Sequence, residues 1–138
     1  MEYIPGGSIK YILNKYGQLS EKLIRLYLRQ ILNALDFLHK NGIVHRDIKS
    51  ANILVDLNGH IKLSDFGCSG LNTEESEKFT SLKGTIPWMA PEVIRQNKYG
   101  KKADVWSLGC TVLEMATGEV PWGKLENYVQ ALFKIGKI

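Results

Sequence analysis

The chain is poor in cysteine, with two among 138 residues, and in proline, with four. Cys68 and Cys110 stand far apart and match no metal-binding or redox spacing, which excludes a cysteine-built centre. They read as two thiols in a reducing compartment, so a cytoplasmic location is expected. No apolar run approaches the ~18 residues that a membrane span needs. Met1 to Gly7 lacks a basic stretch followed by an apolar one, so no secretory signal is expected. There are no internal repeats, low-complexity tracts or linkers. Charge of one sign is not concentrated either. The net charge is +4, but the lysines are scattered. The densest group, Lys98, Lys101 and Lys102, has no interleaved aromatics, so a nucleic-acid partner is not expected. With 44% hydrophobic and 23% charged residues, the composition is that of a globular domain with one core.

The apolar pattern divides the chain. After a break at Pro5-Gly6-Gly7, Ser8 can cap a short helix to about Lys15, which Tyr16-Gly17-Gln18 ends. Ser20 and Gly42 bracket a longer helix of about five turns, in which Ile24, Leu28, Leu32, Leu35 and Leu38 recur at spacings of three and four and predict a buried face. Ile43-Val44 is a short apolar run, followed by a polar segment from His45 to Asn52. Ile53-Leu54-Val55 and Ile61-Lys62-Leu63 are strand-like, and Asp56 to His60, containing Asn58-Gly59, joins them as a hairpin. Such a hairpin brings Asn52, before the first strand, close to Asp65, just after the second. Residues 67 to 83, rich in Ser, Thr, Glu and Gly, read as a long functional loop. A short helix is predicted over Glu92 to Gln96. A strongly apolar one follows over about Lys102 to Thr117, with Val105, Trp106, Leu108, Val112, Leu113 and Met115. Because it is apolar nearly all round it should be central; Gly118 ends it. A last amphipathic segment covers Leu125 to Ile135.

Three polar clusters carry the chemistry: His45-Arg46-Asp47 with Lys49 and Asn52; Ser64-Asp65-Phe66-Gly67; and Gly84-Thr85 through Ala90-Pro91-Glu92. Singly, each is ordinary loop surface. In this order and spacing they resemble the signature set of the eukaryotic protein kinases, serine/threonine type. The strings Trp88-Met89-Ala90-Pro91-Glu92-Val93, Asp104-Val105-Trp106-Ser107-Leu108-Gly109-Cys110 and Glu2-Tyr3-Ile4-Pro5-Gly6-Gly7-Ser8-Ile9 are similar to the MAP-kinase-kinase-kinase branch.

The resemblance implies a mainly α fold with a small β-hairpin, the C-terminal lobe of a kinase. Residues 1–7 would be the hinge, 45–52 the catalytic loop, 53–67 the metal-binding hairpin and 65–92 the activation segment. It implies ATP and Mg²⁺ as cofactors and a protein substrate with a Ser/Thr acceptor, such as a MAP kinase kinase. Met1 would be the gatekeeper and Glu2 to Ile4 the edge that meets adenine, with Leu54 in the same nucleotide pocket. Asp47 would be the catalytic base and orient the acceptor hydroxyl. Lys49 would neutralise charge on the transferring phosphoryl group. Asn52 and Asp65 would be the magnesium ligands, hard oxygen donors that the hairpin argument also brings together. Lys49 and Thr85, as family features, go with serine/threonine specificity. His45 and Phe66 would serve packing, and Gly67 a sharp turn. Arg46 would pair with a phosphate on the activation loop, at Ser81 in preference to Thr80 or Ser76, ordering residues 67 to 85.

Two departures qualify the likeness. Ile86-Pro87 stands where the branch has Pro-Tyr, in the segment that lines the pocket for the residue after the phosphoacceptor. The small lobe, with its Gly-rich loop, strand lysine and helix glutamate, has no counterpart, and the arginine that would pair with Glu92 would lie beyond Ile138. The last helices would thus be missing as well. A lone lobe would expose apolar surface around Phe66 and Met1 to Ile4, so poor stability and little activity are expected without a small lobe or partner chain. Two functional expectations result: a portion of an active kinase, and a truncated, non-catalytic chain that binds kinase partners or substrates as a scaffold. Intact Asp47, Lys49, Asn52 and Asp65 favour the first.

Overall fold

The computed structural model describes residues 7–66, 70–71, 85–123 and 128–138. The first helix, α1 (Ile9–Tyr16), starts where the Ser8 hydroxyl accepts the Tyr11 amide at 3.1 Å. It buries Ile9 and Leu13, and stops at Gly17, whose φ of 80° suits only a residue without a side chain. The second, α2 (Glu21–Lys40), is capped in the same way by Ser20, and Gly42 follows its end at φ 74°.

The buried seam of α2 is Ile24, Tyr27, Ile31, Leu35 and Leu38. Leu28 is half-buried and Leu32 is 47% exposed, unlike the face expected from leucine spacing alone. Helix geometry gives the reason. At about 100° per residue, Ile31 returns to within about 20° of Ile24, whereas Leu32 lies about 80° away.

Strands β2 (Ile53–Val55) and β3 (Ile61–Leu63) pair antiparallel, with Ile53 opposite Leu63 and Val55 opposite Ile61. Their turn is held by Asp56, whose carboxylate accepts the amides of Asn58 at 2.8 Å and His60 at 2.9 Å. A smaller ladder joins β1 (Ile43–Val44) to β4 (Gly70–Leu71). A 3-10 turn over Ile86–Trp88 leads into α3 (Pro91–Ile94). That helix is shorter than expected because Gln96 has left the helical region, at φ 56°.

Helix α4 (Lys101–Thr117) ends at Gly118, φ 75°. It is central as expected, and Ala103, Leu108, Cys110 and Met115 are buried, but its inward side is mixed in character. Val105 and Leu113 are 58% and 59% exposed, while Asp104, Ser107, Thr111 and Glu114 are buried. The main core gathers Ile9, Leu13, Ile24, Ile31, Leu35, Ile48, Ile53, Leu108 and Met115 between α1, α2, the hairpin and α4. A smaller cluster of Met89, Ala90, Val93, Tyr99 and Ala103 lies under α3 and α4. The last helix, α5 (Tyr128–Gly136), buries Ala131 and Ile135 and packs on α3. Among the described residues, no helix is long and apolar enough to cross a membrane.

Candidate active site

The segment from His45 to Asn52 runs between β1 and β2, and its course is set by a carboxylate far away in sequence. Asp104, on the first turn of α4 and 1% exposed, accepts the backbone amides of His45 and Arg46, both at 2.9 Å. The His39 ring meets the same carboxylate at 2.8 Å. Arg46 has a φ of 71°, a left-handed conformation that costs a non-glycine residue about 1–2 kcal/mol. Two charge-assisted hydrogen bonds to the adjoining amides offset that cost.

The imidazole of His45 is fully buried and used at both nitrogens. Its Nδ1 accepts the Asp47 amide at 3.1 Å, so Nε2 carries the proton and donates to the Ser64 carbonyl at 2.8 Å. Its ring lies against Phe66, with centroids 4.9 Å apart. His45 thus joins the polar segment to the far end of the hairpin, and has no ring nitrogen left to act as a base.

Asp47 sits at the centre of what remains. The Thr85 hydroxyl donates to its Oδ1 at 2.8 Å, and the Asn52 amide donates to its Oδ2 at 3.1 Å and to its backbone carbonyl at 2.8 Å. The Lys49 ammonium donates to the oxygen of the same Thr85 hydroxyl at 2.8 Å, 6.0 Å from the ring of Trp88. Asp47, Lys49, Asn52 and Thr85 therefore form one hydrogen-bonded unit, although Thr85 is 38 positions from Asp47. Asp65 stands beside it. The Ser64 amide and hydroxyl both donate to the Asn52 carbonyl, at 2.9 and 3.1 Å, so Asp65 directly follows the residue paired with Asn52. Its backbone turns sharply, at φ 56°, and its side chain is exposed.

Leu54 is half-buried, and its strand is joined by the chain before α1: Ser8 bridges to Leu54, and the Gly7 carbonyl accepts the Val55 amide at 2.8 Å. The Arg46 guanidinium reaches the Tyr99 hydroxyl at 3.5 Å. Met1, Glu2, Ile4, Thr80 and Ser81 lie outside the described residues, as do Gly67 and the rest of 72–84.

Several supporting residues escaped the sequence reading. Glu114, 3% exposed, accepts the Ser50 hydroxyl at 2.5 Å, the Ser50 amide at 3.3 Å and the Trp88 indole N–H at 3.1 Å. Ser107 donates to the Trp88 carbonyl at 2.6 Å. Through these bonds α4 holds both the segment that carries Asp47 and the one that carries Thr85. Burial pushes the Glu114 carboxyl above its ordinary range, against the opposing effect of the Ser50 and Trp88 bonds. Burial likewise pushes the Cys110 thiol up to about 11, which leaves it protonated and unreactive. The available signal for Asp104 and Glu114 was two acidic residues inside an otherwise apolar helix, where an unpaired charge is costly.

The family described as "Protein kinase domain" matches residues 1–138. The chain is 51% identical over 135 residues to mitogen-activated protein kinase kinase kinase A of Dictyostelium discoideum, covering 98% of this chain and 14% of that protein. It is 51% identical over 141 residues to mitogen-activated protein kinase kinase kinase 3 of Arabidopsis thaliana, covering 99% and 21%. It is 54% identical over 138 residues to mitogen-activated protein kinase kinase kinase 3 of Mus musculus, covering 98% and 22%. The chain thus spans about a seventh to a fifth of the length of these relatives.

Proposed function

The chain belongs to the protein kinase domain family, and on that premise we propose that it serves transfer of the ATP γ-phosphoryl group to Ser/Thr hydroxyls of protein substrates, in a signalling kinase of the MAP-kinase-kinase-kinase type. The observation that carries the reading is the continuous link Asp47–Thr85–Lys49, each bond 2.8 Å. A carboxylate fixed at both oxygens is pre-oriented, so it can accept the acceptor hydroxyl's proton and align it for attack without reorganising. Lys49, held within reach of the same point, supplies positive charge where the transferring phosphoryl group gathers negative charge. Thr85 sets the distance between them.

Asn52 and Asp65 are the proposed magnesium ligands. The fit is chemical: both bonds from the Asn52 side chain leave through Nδ2 toward Asp47. Its side-chain oxygen, Oδ1, takes no part in those bonds and is a hard donor on the residue paired with Ser64, next to Asp65. Two protein oxygens suit an ion that takes its remaining ligands from phosphates and water. Asn52 and Asp65 would hold the ion where it would neutralise charge on the phosphates. Leu54 lies on the strand next to Gly7, consistent with an adenine pocket completed by Met1, Glu2 and Ile4. Arg46 receives a phosphate on Ser81, with Thr80 as the lesser candidate. The names of the relatives favour a MAP kinase kinase as substrate.

The test is phosphoryl transfer from Mg²⁺–ATP to a Ser/Thr protein substrate by the full-length protein. Asp47→Asn should lower turnover by about 10²–10⁴-fold. Thr85→Ser should retain most of the rate, and Thr85→Val should lose most of it. No transfer by the unsubstituted protein would refute the reading in favour of a non-catalytic binding module, and full turnover by Asp47→Asn would refute the role of Asp47.

A further inference from the structure

Gln30 stands in the middle of α2, outside every motif described above, and its side chain grips the hairpin at the turn. Its amide N–H donates to the Gly59 carbonyl at 3.0 Å, and its amide oxygen accepts the Ile61 amide at 2.9 Å. Gly59 is the turn residue at φ 81°, and Ile61 opens β3. Ile53, Val55 and the Gly7–Val55 bond anchor β2, and Gln30 anchors the turn. Two bonds from the two ends of one planar amide fix both its position and its tilt against α2.

The opposite end of the same hairpin carries the proposed magnesium ligands. Asn52 immediately precedes β2, and Asp65 follows β3 after Ser64. Three strand residues make a lever of about 10 Å. A tilt of about 10° at the turn therefore displaces the far end by about 2 Å, several times the ~0.5 Å to which a working site must be held. The Asn52 bonds to Asp47 lie at that far end, so the same tilt would draw the metal ligands away from Asp47.

We infer that Gln30 is a positioning residue for the magnesium–nucleotide site: it sets the tilt of the hairpin, and thereby the placing of Asn52 and Asp65 relative to Asp47. This rests on the reading of Asn52 and Asp65 as the metal ligands. The role is distinct from general support of the fold, because α2 is already packed through Ile24, Tyr27, Ile31, Leu35 and Leu38 on its buried seam.

The experiment measures Mn²⁺ affinity in the presence of ATP by electron paramagnetic resonance, on the full-length protein, beside amide hydrogen exchange at Ile61. Gln30→Leu removes both bonds at similar volume and should weaken Mn²⁺ binding by roughly tenfold, the low end for residues that orient metal ligands from behind. Exchange at Ile61 should accelerate. Gln30→Glu keeps an acceptor for Ile61 but loses the donor for Gly59, and should fall between. Ile24→Val, which trims the seam and leaves both Gln30 bonds in place, should lower stability and leave Mn²⁺ affinity unchanged. Equal Mn²⁺ affinity in Gln30→Leu and the unsubstituted protein would overturn the inference, as would a loss matched by Ile24→Val. Should Gln30→Leu fail to fold, unchanged affinity in Gln30→Glu overturns it in the same way. If the unsubstituted protein binds no Mn²⁺ with ATP, the ligand reading itself fails, and the inference falls with it.

Discussion

Asp104→Ala is the perturbation for which the structure gives the clearest magnitude. Its carboxylate accepts two backbone amides at 2.9 Å and meets His39 at 2.8 Å, with the side chain 1% exposed. Alanine offers none of these partners, and a 1% exposed site gives water no easy access. Each stranded amide costs about 1–3 kcal/mol. His39 lies nearer the surface and adds little. The two amides together come to about 2–6 kcal/mol, a large part of the ~5–15 kcal/mol by which domains are stable. The left-handed turn at Arg46 also loses the bond that compensates it, so the backbone leading into Asp47 should relax. Asp104→Asn retains one acceptor but turns an N–H₂ toward a second donor, and should cost about half as much. Urea denaturation of the full-length protein, followed by tryptophan fluorescence, measures both. A cost below about 1 kcal/mol for Asp104→Ala would refute the idea that this carboxylate organises the segment.

Glu114 should give stability a pH dependence of definite sign. Burial raises its folded value above the ordinary 4.5, so the native state keeps the proton to higher pH than the unfolded chain does. Its contribution is then most favourable below about pH 4.5 and is lost as pH rises through the folded value. Glu114→Gln should gain stability relative to the unsubstituted protein between pH 4 and pH 7, and a difference flat with pH, read by thermal melts, would count against this. The seam of α2 is tested by a pair: Ile31→Ala, fully buried, should cost about 2–5 kcal/mol, whereas Leu32→Ala, 47% exposed, should cost much less. Equal losses in denaturant would show that the leucine spacing had the face right. At Gly118, φ is 75° and an added Cβ would come 3.2 Å from the Gln18 amide nitrogen. Gly118→Ala should cost about 1–2 kcal/mol, visible as a lowered midpoint in the same titration; an unchanged midpoint would contradict it.

Much of the fold was legible because the elements announce themselves locally. Ser8 and Ser20 lie three residues before the amides they cap, and Gly17, Gly42 and Gly118 take the positive φ that ends each helix. The Asn58-Gly59 turn fixed the hairpin, and with it the neighbourhood of Asn52 and Ser64. The sequence also pointed to Asp47, Lys49, Asn52 and Thr85 as members of one motif set. It could not reveal that Thr85 bonds both Asp47 and Lys49, because residues 67 to 83, which carry no periodic pattern, lie between them. Gln30 was invisible for a related reason: a glutamine on a half-exposed helix position is ordinary surface until its two bonds to a distant turn are seen.

Helix α4 marks where pattern reading fails, and the failure has a physical cause. Apolar periodicity assumes that a helix buries its greasy face because the space it meets is apolar. The space α4 meets is partly backbone. The segments 45–52 and 85–90 have no regular ladder of their own, and their amides, carbonyls and indole N–H must find partners inside the protein. Asp104, Ser107 and Glu114 supply those partners, at bond lengths from 2.5 to 3.3 Å. The inward side of α4 therefore has to carry polar groups beside its buried Leu108 and Met115. With the inward direction taken by these residues, Val105 and Leu113 are left to point out. An irregular site thus requires a regular element carrying buried acceptors beside it, and the order of causation runs from the loop to the helix.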